Sequence, residues 1–198
     1  MENMNFCSKC GQKVQFGEIE GDHRPRFHCL DCGTIHYQNP RVIVGCIPVW
    51  QDKVMLCRRG IEPQFGLWNI PGGFMENGET VEEGAAREMF EETKGRVRII
   101  GLQSMFTVLH VNQVHLHFVA EMQDLNYETT PESTEIQLFT EGELPWKEVA
   151  FASNYFALKK YFEDRKLGVQ RTHRGSLSVV NGKFVVHGEN WEVKNSNY

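Results

Sequence analysis

Nothing in these 198 residues approaches the length of apolar run that crosses a bilayer. The first ten residues, MENMNFCSKC, also lack the basic-then-apolar pattern of a secretory signal. The expectation is a soluble, cytoplasmic protein with no membrane partner. Positive charge is in short supply too. A formal net charge of −5 leaves no electrostatic footprint for general nucleic-acid binding. Low-complexity segments and internal repeats are absent, and 40% hydrophobic with 24% charged residues is an ordinary globular composition. A chain of this length buries one good core and has room for a small appendage. An acidic protein can still handle an anionic substrate, provided that cations mediate the contact.

Cysteine is sparse, and its placement is patterned. Four of the six fall as CSKC (Cys7, Cys10) and CLDC (Cys29, Cys32), which gives C-x2-C-x18-C-x2-C. A glycine follows each pair and lets the backbone turn tightly around a metal. This is four-thiolate zinc spacing. Two disulfides, or a redox CxxC, are the alternatives; a reducing compartment and two matched CxxCG knuckles argue for zinc. A shell of four sulfurs has no open position, so the expected Zn²⁺ is structural. Cys46 and Cys57 lie alone in apolar runs and read as buried small hydrophobes.

The chain divides into a zinc module (1–36), a main domain (37–168) and an extension (169–198), with HYQNP at the first junction. RVIVGCIPVW, KVMLCRR, RVRIIGLQSMFTVLH, VNQVHLHFVAEM and IQLFT have strand character. GETVEEGAAREMFEETKG and PWKEVAFASNYFALKKYFEDRK have helical character. In the extension, Asn181-Gly182 between apolar runs signals a hairpin. Mixed strands with two helices predict an α/β or α+β sandwich.

The first helix is unusual. Thr80 and Glu83 form a capping box at its start, and Gly95 suits the left-handed position after its end. Val81, Ala85 and Met89 mark the buried stripe, while Glu88, Glu91 and Glu92 project from one face. Like charges at this spacing repel. Gly84, one turn before Glu88, costs about 1 kcal/mol relative to alanine, which a close approach to the backbone would explain. A solvated acidic face is the plain alternative. Against it, the carboxylates cluster, the helix is entered through PGGF, and Arg87 is placed to pair with Glu79 or Glu91. Hard oxygen donors on a rigid scaffold suit Mg²⁺ or Mn²⁺.

From Gly73 the stretch GFMENGETVEEGAAREMFEET reads G-x5-E-x7-R-E-x2-E-E and resembles the Nudix box; GLWNIPGG resembles its lead-in. One position departs: the family's glycine after E-E-x is Lys94 here, with Gly95 next. The resemblance spans residues 1–168, zinc ribbon included. It implies a Nudix α/β/α sandwich with a mixed sheet, and hydrolysis of a nucleoside diphosphate linked to a second group. It also implies Gly73, Glu88, Glu91 and Glu92 as ligands of Mg²⁺ or Mn²⁺, with Glu79 and Arg87 in support. In relatives a loop glutamate after the box can be the general base, which points first to Glu132 and second to Glu135, with Glu91 as the competing assignment.

Among Nudix proteins with this ribbon, NADH diphosphatases carry S-Q-P-W-P-F-P-x-S after the box, and this chain does not. It is more similar to FAD and ADP-ribose diphosphatases, so the implied substrate is a dinucleotide-type small molecule. For its recognition, Phe65 and Trp68 are candidates for ring stacking, with Trp68 as core the alternative. His115 and His117 share one strand face, opposite Val114, Leu116 and Phe118, and either line the cleft or lie exposed. Two other readings stay open: an RNA-cap hydrolase, and a nucleic-acid-binding ribbon with the Nudix domain as sensor. Against the sensor, Lys9, Lys13, Arg24 and Arg26 are offset by Glu2, Glu18, Glu20, Asp22 and Asp31. The extension could pack on the core or reach a second subunit in a homodimer.

Overall fold

A computed structural model describes residues 4–188, in two compact units that divide after Pro40. Among the described residues no helix is long and apolar enough to cross a membrane. The first unit is a small antiparallel sheet, β1 (Val14–Gly17), β2 (Arg26–Cys29) and β3 (Ile35–His36), in that order. Its two cysteine knuckles are alike. Gly11 and Gly33 take positive φ (74° and 69°), and their N–H groups donate to the carbonyls of Cys7 and Cys29. Phe16 and Phe27 pack at 4.9 Å between centroids, and little else is buried beside the thiols. So small a core needs a metal to hold it.

The second unit is built on one mixed sheet. Its elements are β4 (Arg41–Trp50), β5 (Lys53–Arg59), β6 (Trp68–Asn69), β7 (Gly72–Phe74), α1 (Val81–Thr93), β8 (Val97–Val108) and β9 (Gln113–Met122). Then come β10 (Ser133–Phe139), α2 (Ala152–Leu167), β11 (His173–Val180) and β12 (Lys183–Gly188). The sheet order is β10-β5-β4-β9-β8-β11-β12, with β6 beside β5 and β7 beside β4. Pairing is parallel at β4/β9 and β8/β11 and antiparallel elsewhere.

Alternation along the strands sets the layers. Val44, Cys46, Met55 and Phe118 meet Ala85 and Met89 of α1 on one face. Ile47, Val54 and Leu56 meet Ala157, Leu158 and Phe162 of α2 on the other. The result is the α/β/α sandwich that the resemblance implies. β4 and β5 pair only at Val49–Val54 and Trp50–Lys53 and then part; β7 takes the free edge of β4 at Ile43–Gly45. That exchange requires glycine. A Cβ on Gly45 would lie 2.6 Å from the Pro71 carbonyl oxygen, and one on Gly72 would lie 2.6 Å from that of Val44.

Helix α1 starts at the expected capping box: Thr80 Oγ1 accepts from the Glu83 N–H at 3.2 Å, and Glu83 accepts from the Thr80 N–H at 2.8 Å. Two expectations are corrected. Lys94, not Gly95, holds the left-handed position (φ 60°), and its N–H donates to Phe90 O at 2.8 Å. Gly95 is needed for space, because a Cβ there would lie 2.9 Å from Met89 Cε. Gly84 faces β4 rather than a ligand: a Cβ would meet Val44 Cγ2 at 2.9 Å and Glu79 Oε1 at 2.6 Å. The close approach is made by the protein itself. Helix α2 begins later than its amphipathic pattern, after a 3-10 turn at Trp146–Glu148.

An L-residue in the left-handed region costs roughly 1 kcal/mol or more, less what glycine loses in entropy on folding. Lys94→Gly is therefore expected to stabilise the protein by about 0.5–1 kcal/mol in urea unfolding. A lower unfolding midpoint would show that the Lys94 side chain, 5.4 Å above the Phe90 ring, outweighs the backbone strain.

Candidate active site

The parting of β4 and β5 opens a cleft of about 740 Å³. Its acidic wall is α1 with the strand entering it. Arg87 organises this wall: Nε and Nη2 each donate to a Glu79 oxygen at 2.9 Å, and Nη1 donates to Glu88 at 2.8 Å and Glu91 at 2.9 Å. Nη2 also reaches the Phe74 carbonyl at 3.0 Å, so the guanidinium ties α1 to β7. These bonds and the Glu76 N–H hold Glu79 down at about 2, a permanently charged partner.

Glu88 and Glu92 are placed differently. Burial pushes both carboxyls up, Glu92 to about 7. Among the described residues Glu92 accepts from the Gly72 N–H (3.2 Å) and the Ser133 hydroxyl (3.3 Å); the charge of Glu88 raises it further, and that of Arg59 offsets part of the rise. A Cβ on Gly73 would sit 2.5 Å from Glu88 Oε2, so the missing side chain leaves room for the carboxylate beside the backbone. Hard oxygens with too little counter-charge are a donor set that fits a divalent cation.

The loop before β10 closes this end. Thr130 Oγ1 donates to the Glu92 carbonyl at 3.0 Å, and the Gly60 N–H donates to that of Glu132 at 2.8 Å. Glu132 lines the cleft with Arg59. Glu135 does not; it pairs with Arg58 at 2.8 Å.

His115 and His117 line the opposite wall, buried rather than exposed. His117 Nε2 donates to Asn154 Oδ1 at 2.9 Å, leaving Nδ1 to accept from the Ser104 hydroxyl at 3.2 Å. His115 contacts Ser153 Oγ at 2.9 Å and Gln113 Oε1 at 3.0 Å. Asn154 donates in turn to Asn69 Oδ1. Burial lowers the two rings to about 4 and 3, so both are neutral near pH 7. Asn69, Ser153 and Asn154 line the cleft but escaped the sequence reading, because single polar residues in apolar runs carry no pattern.

Neither aromatic candidate lines the cleft. Trp68 is core, 3% exposed, edge-on to Phe139 at 5.0 Å and under the Arg58 guanidinium at 4.6 Å. Phe65 is 63% exposed and lies outside the cleft lining.

The family model for the NUDIX domain matches residues 39–162, and that for the Nudix N-terminal zinc ribbon matches residues 5–38. The chain belongs to the NUDIX family. A solved NUDIX hydrolase from Nitrosomonas europaea is 48% identical, with TM-score 0.85, over 87% of this chain and 98% of that one. A Vibrio atlanticus protein named NAD-capped RNA hydrolase NudC is 33% identical over 46% of this chain and 32% of its own length. One from Methanocaldococcus jannaschii named ADP-ribose pyrophosphatase is 46% identical over 29% of this chain and 34% of its own. The chain thus spans about a third of the length of these two curated relatives.

In this NUDIX protein the ribbon thiols form a second donor set. Among the described residues, only Cys7, Cys10, Cys29 and Cys32 bring three or more ligand atoms within 4.8 Å of one another. The Sγ separations of 3.7 Å (Cys7–Cys32) and 3.5 Å (Cys10–Cys29) approach the edge of a tetrahedron with Zn–S of about 2.3 Å. The Thr34 hydroxyl and N–H hold the Cys32 thiol down at about 6, favouring the thiolate.

The Glu92 carboxyl predicts a pH effect on metal-free protein. Its folded value of about 7 exceeds the ordinary 4.5, so the unfolded chain ionises first. This group's contribution is level below the lower value, becomes destabilising as pH rises between the two, and is level again above. Glu92→Gln is expected to stabilise metal-free protein at pH 8 by on the order of 2 kcal/mol, with little change at pH 4. Equal unfolding free energies at pH 8 would show that Glu92 ionises at no cost.

Proposed function

We propose that this NUDIX protein hydrolyses the diphosphate linkage of nucleoside-diphosphate-X cofactors with Mg²⁺ or Mn²⁺, acting on FAD (to FMN and AMP), ADP-ribose (to AMP and ribose 5-phosphate), or both. The observation that carries this reading is the under-neutralised carboxyl set, Glu88 and Glu92 beside Gly73, on one side of a cleft roomy enough for a dinucleotide-type ligand. The Gly73 carbonyl, Glu88, Glu91 and Glu92 would hold the cations, and Cys7, Cys10, Cys29 and Cys32 a structural Zn²⁺. Bound divalent ions supply charge against the diphosphate and lower the pKa of water.

The chain's own residues do the rest. Arg87, locked on Glu79, fixes the rotamers of Glu88 and Glu91 and so presents their oxygens to the cleft. The Glu132 carboxylate takes the proton of the attacking water, with Glu91 the competing base. Such in-line displacement depends on positioning and charge more than on covalent catalysis. Neutral His115 and His117 offer a hydrogen-bonding wall that adds no charge to an anionic ligand's surroundings.

A second reading, hydrolysis of NADH or of an NAD-type RNA cap, is favoured by the name of the Vibrio relative. The absent proline-rich signature and the net charge of −5 count against it. A Mg²⁺-supported panel of FAD, ADP-ribose and NADH, compared by kcat/KM, separates these readings. A clear lead for NADH would displace the first, and inactivity on all three would leave the domain as a binding module. Glu92→Gln is expected to lower kcat at least 100-fold, on the order of what loss of one transition-state electrostatic contact removes, with circular dichroism unchanged. Near-normal turnover by folded mutant would refute the ligand assignment. For the ribbon, Cys29→Ser should remove bound zinc as read by elemental analysis; zinc content equal to wild type would exclude the four-thiolate site.

A further inference from the structure

We propose that the C-terminal hairpin β11–β12 builds the end of the cleft that receives a flat heteroaromatic ring of the substrate, stacked on Phe184 beside His110. This rests on the functional reading above and assigns the part of the ligand remote from the phosphates.

Leu177 and Phe184 line the same cleft as Glu88 and Glu92, so one continuous space joins the hairpin to the acidic wall. The lining changes character along it. Its carboxylates and guanidiniums all come from residues 59–132, on β5, the loop after it, the loop between β7 and α1, α1 itself and the loop before β10. The end of β8, the turn after it and the hairpin add Val108, His110, Val111, Leu177 and Phe184, with no carboxylate or guanidinium among them. From β7, beside the acidic wall, to β12 the sheet crosses five strand steps, on the order of 24 Å at about 4.8 Å each. That reach matches two nucleoside-like halves joined by a diphosphate.

The hairpin end has the build of a ring platform. Phe184 is 40% exposed, and its centroid lies 5.2 Å from that of His110 with planes tilted 56°. Below it Leu177 is buried with Phe106, Val108, Phe156 and Val186, which makes the support rigid. Parallel pairing of β11 with β8, from His173–Ser104 to Leu177–Val108, fixes the hairpin against the sheet. Asp164 anchors its approach, accepting from His173 Nε2 at 2.8 Å and Arg171 Nη2 at 2.6 Å. An aromatic face left open on a rigid platform offers stacking and excludes water, and it suits any planar ring without demanding a particular hydrogen-bond pattern.

Calorimetric binding tests this apart from turnover. The ligands are AMP, FMN and the ring-free ribose 5-phosphate, with wild type, Phe184→Ala and Phe184→Trp. At least one ring ligand should bind wild type, weaken about tenfold in Phe184→Ala and recover in Phe184→Trp, while ribose 5-phosphate binds all three alike. Whether AMP or FMN responds tells which half of the substrate the hairpin holds. Affinities within twofold of wild type in Phe184→Ala, equal weakening of the ring-free ligand, or no binding of either ring ligand by wild type would each overturn the proposal. Hydrolysis of FAD and ADP-ribose is read separately: its absence from wild type removes the hydrolase reading, while the binding ratios still judge the hairpin.

Discussion

Five hydrogen bonds from the Arg87 guanidinium, to Glu79, Glu88, Glu91 and the Phe74 carbonyl, hold the acidic wall in one arrangement. Glutamates at three- and four-residue spacing would otherwise spread apart, since repulsion is their only mutual interaction. The fork is shared unequally. Glu79 takes two donors, whereas Glu88 and Glu91 share one nitrogen and Glu92 receives none. The wall is thereby both ordered and short of positive charge. A cation entering the cleft meets oxygens already aimed and already in need of it.

That shortage depends on the sheet. Glu92 is costly to ionise because it lies under β7 and the loop before β10, and β7 is there because β5 leaves β4 after two residue pairs. With β4 and β5 paired throughout, no edge would remain for Gly72 and Gly73, and Glu92 would lose the Gly72 N–H that it accepts from. Gly45 and Gly72 pass within a distance that tolerates no Cβ. Electrostatics at the site thus begins as a matter of backbone clearance between β4 and β7.

Much of this could be read in advance wherever one local rule acted alone. Val81, Ala85 and Met89 turn inward because helical period and apolar character agree, and Thr80 caps because its oxygen has a nearby N–H to accept from. Reading failed where tertiary contact chose between local options. Both Lys94 and Gly95 can end the helix, and Met89 Cε decides by filling the space where a Cβ of residue 95 would go. Trp68 looks like a stacking residue in a Gly-rich loop until Arg58 and Phe139 enclose it. The Asn69–Asn154–His117–Ser104 chain escapes the sequence because its members come from four separate elements, and only His117, with His115 on the same strand face, has a periodic neighbour.

Two donor sets of opposite character sit on one chain, four soft thiols in the ribbon and hard carboxylates along α1. The four thiols converge within 4.8 Å on paired turns, a soft shell with all positions occupied by protein. The carboxylates of α1 do not converge so tightly; Arg87 draws Glu88 and Glu91 to itself, and Glu92 bonds across to Gly72 and Ser133. Hard cations that keep water and exchange ligands suit that looser set, since a phosphate oxygen can complete it. A closed shell would give a small ribbon its stability under the proposed zinc assignment. The open set carries an ionisation cost at Glu92, which a cation completed by a phosphate oxygen would offset under the proposed function.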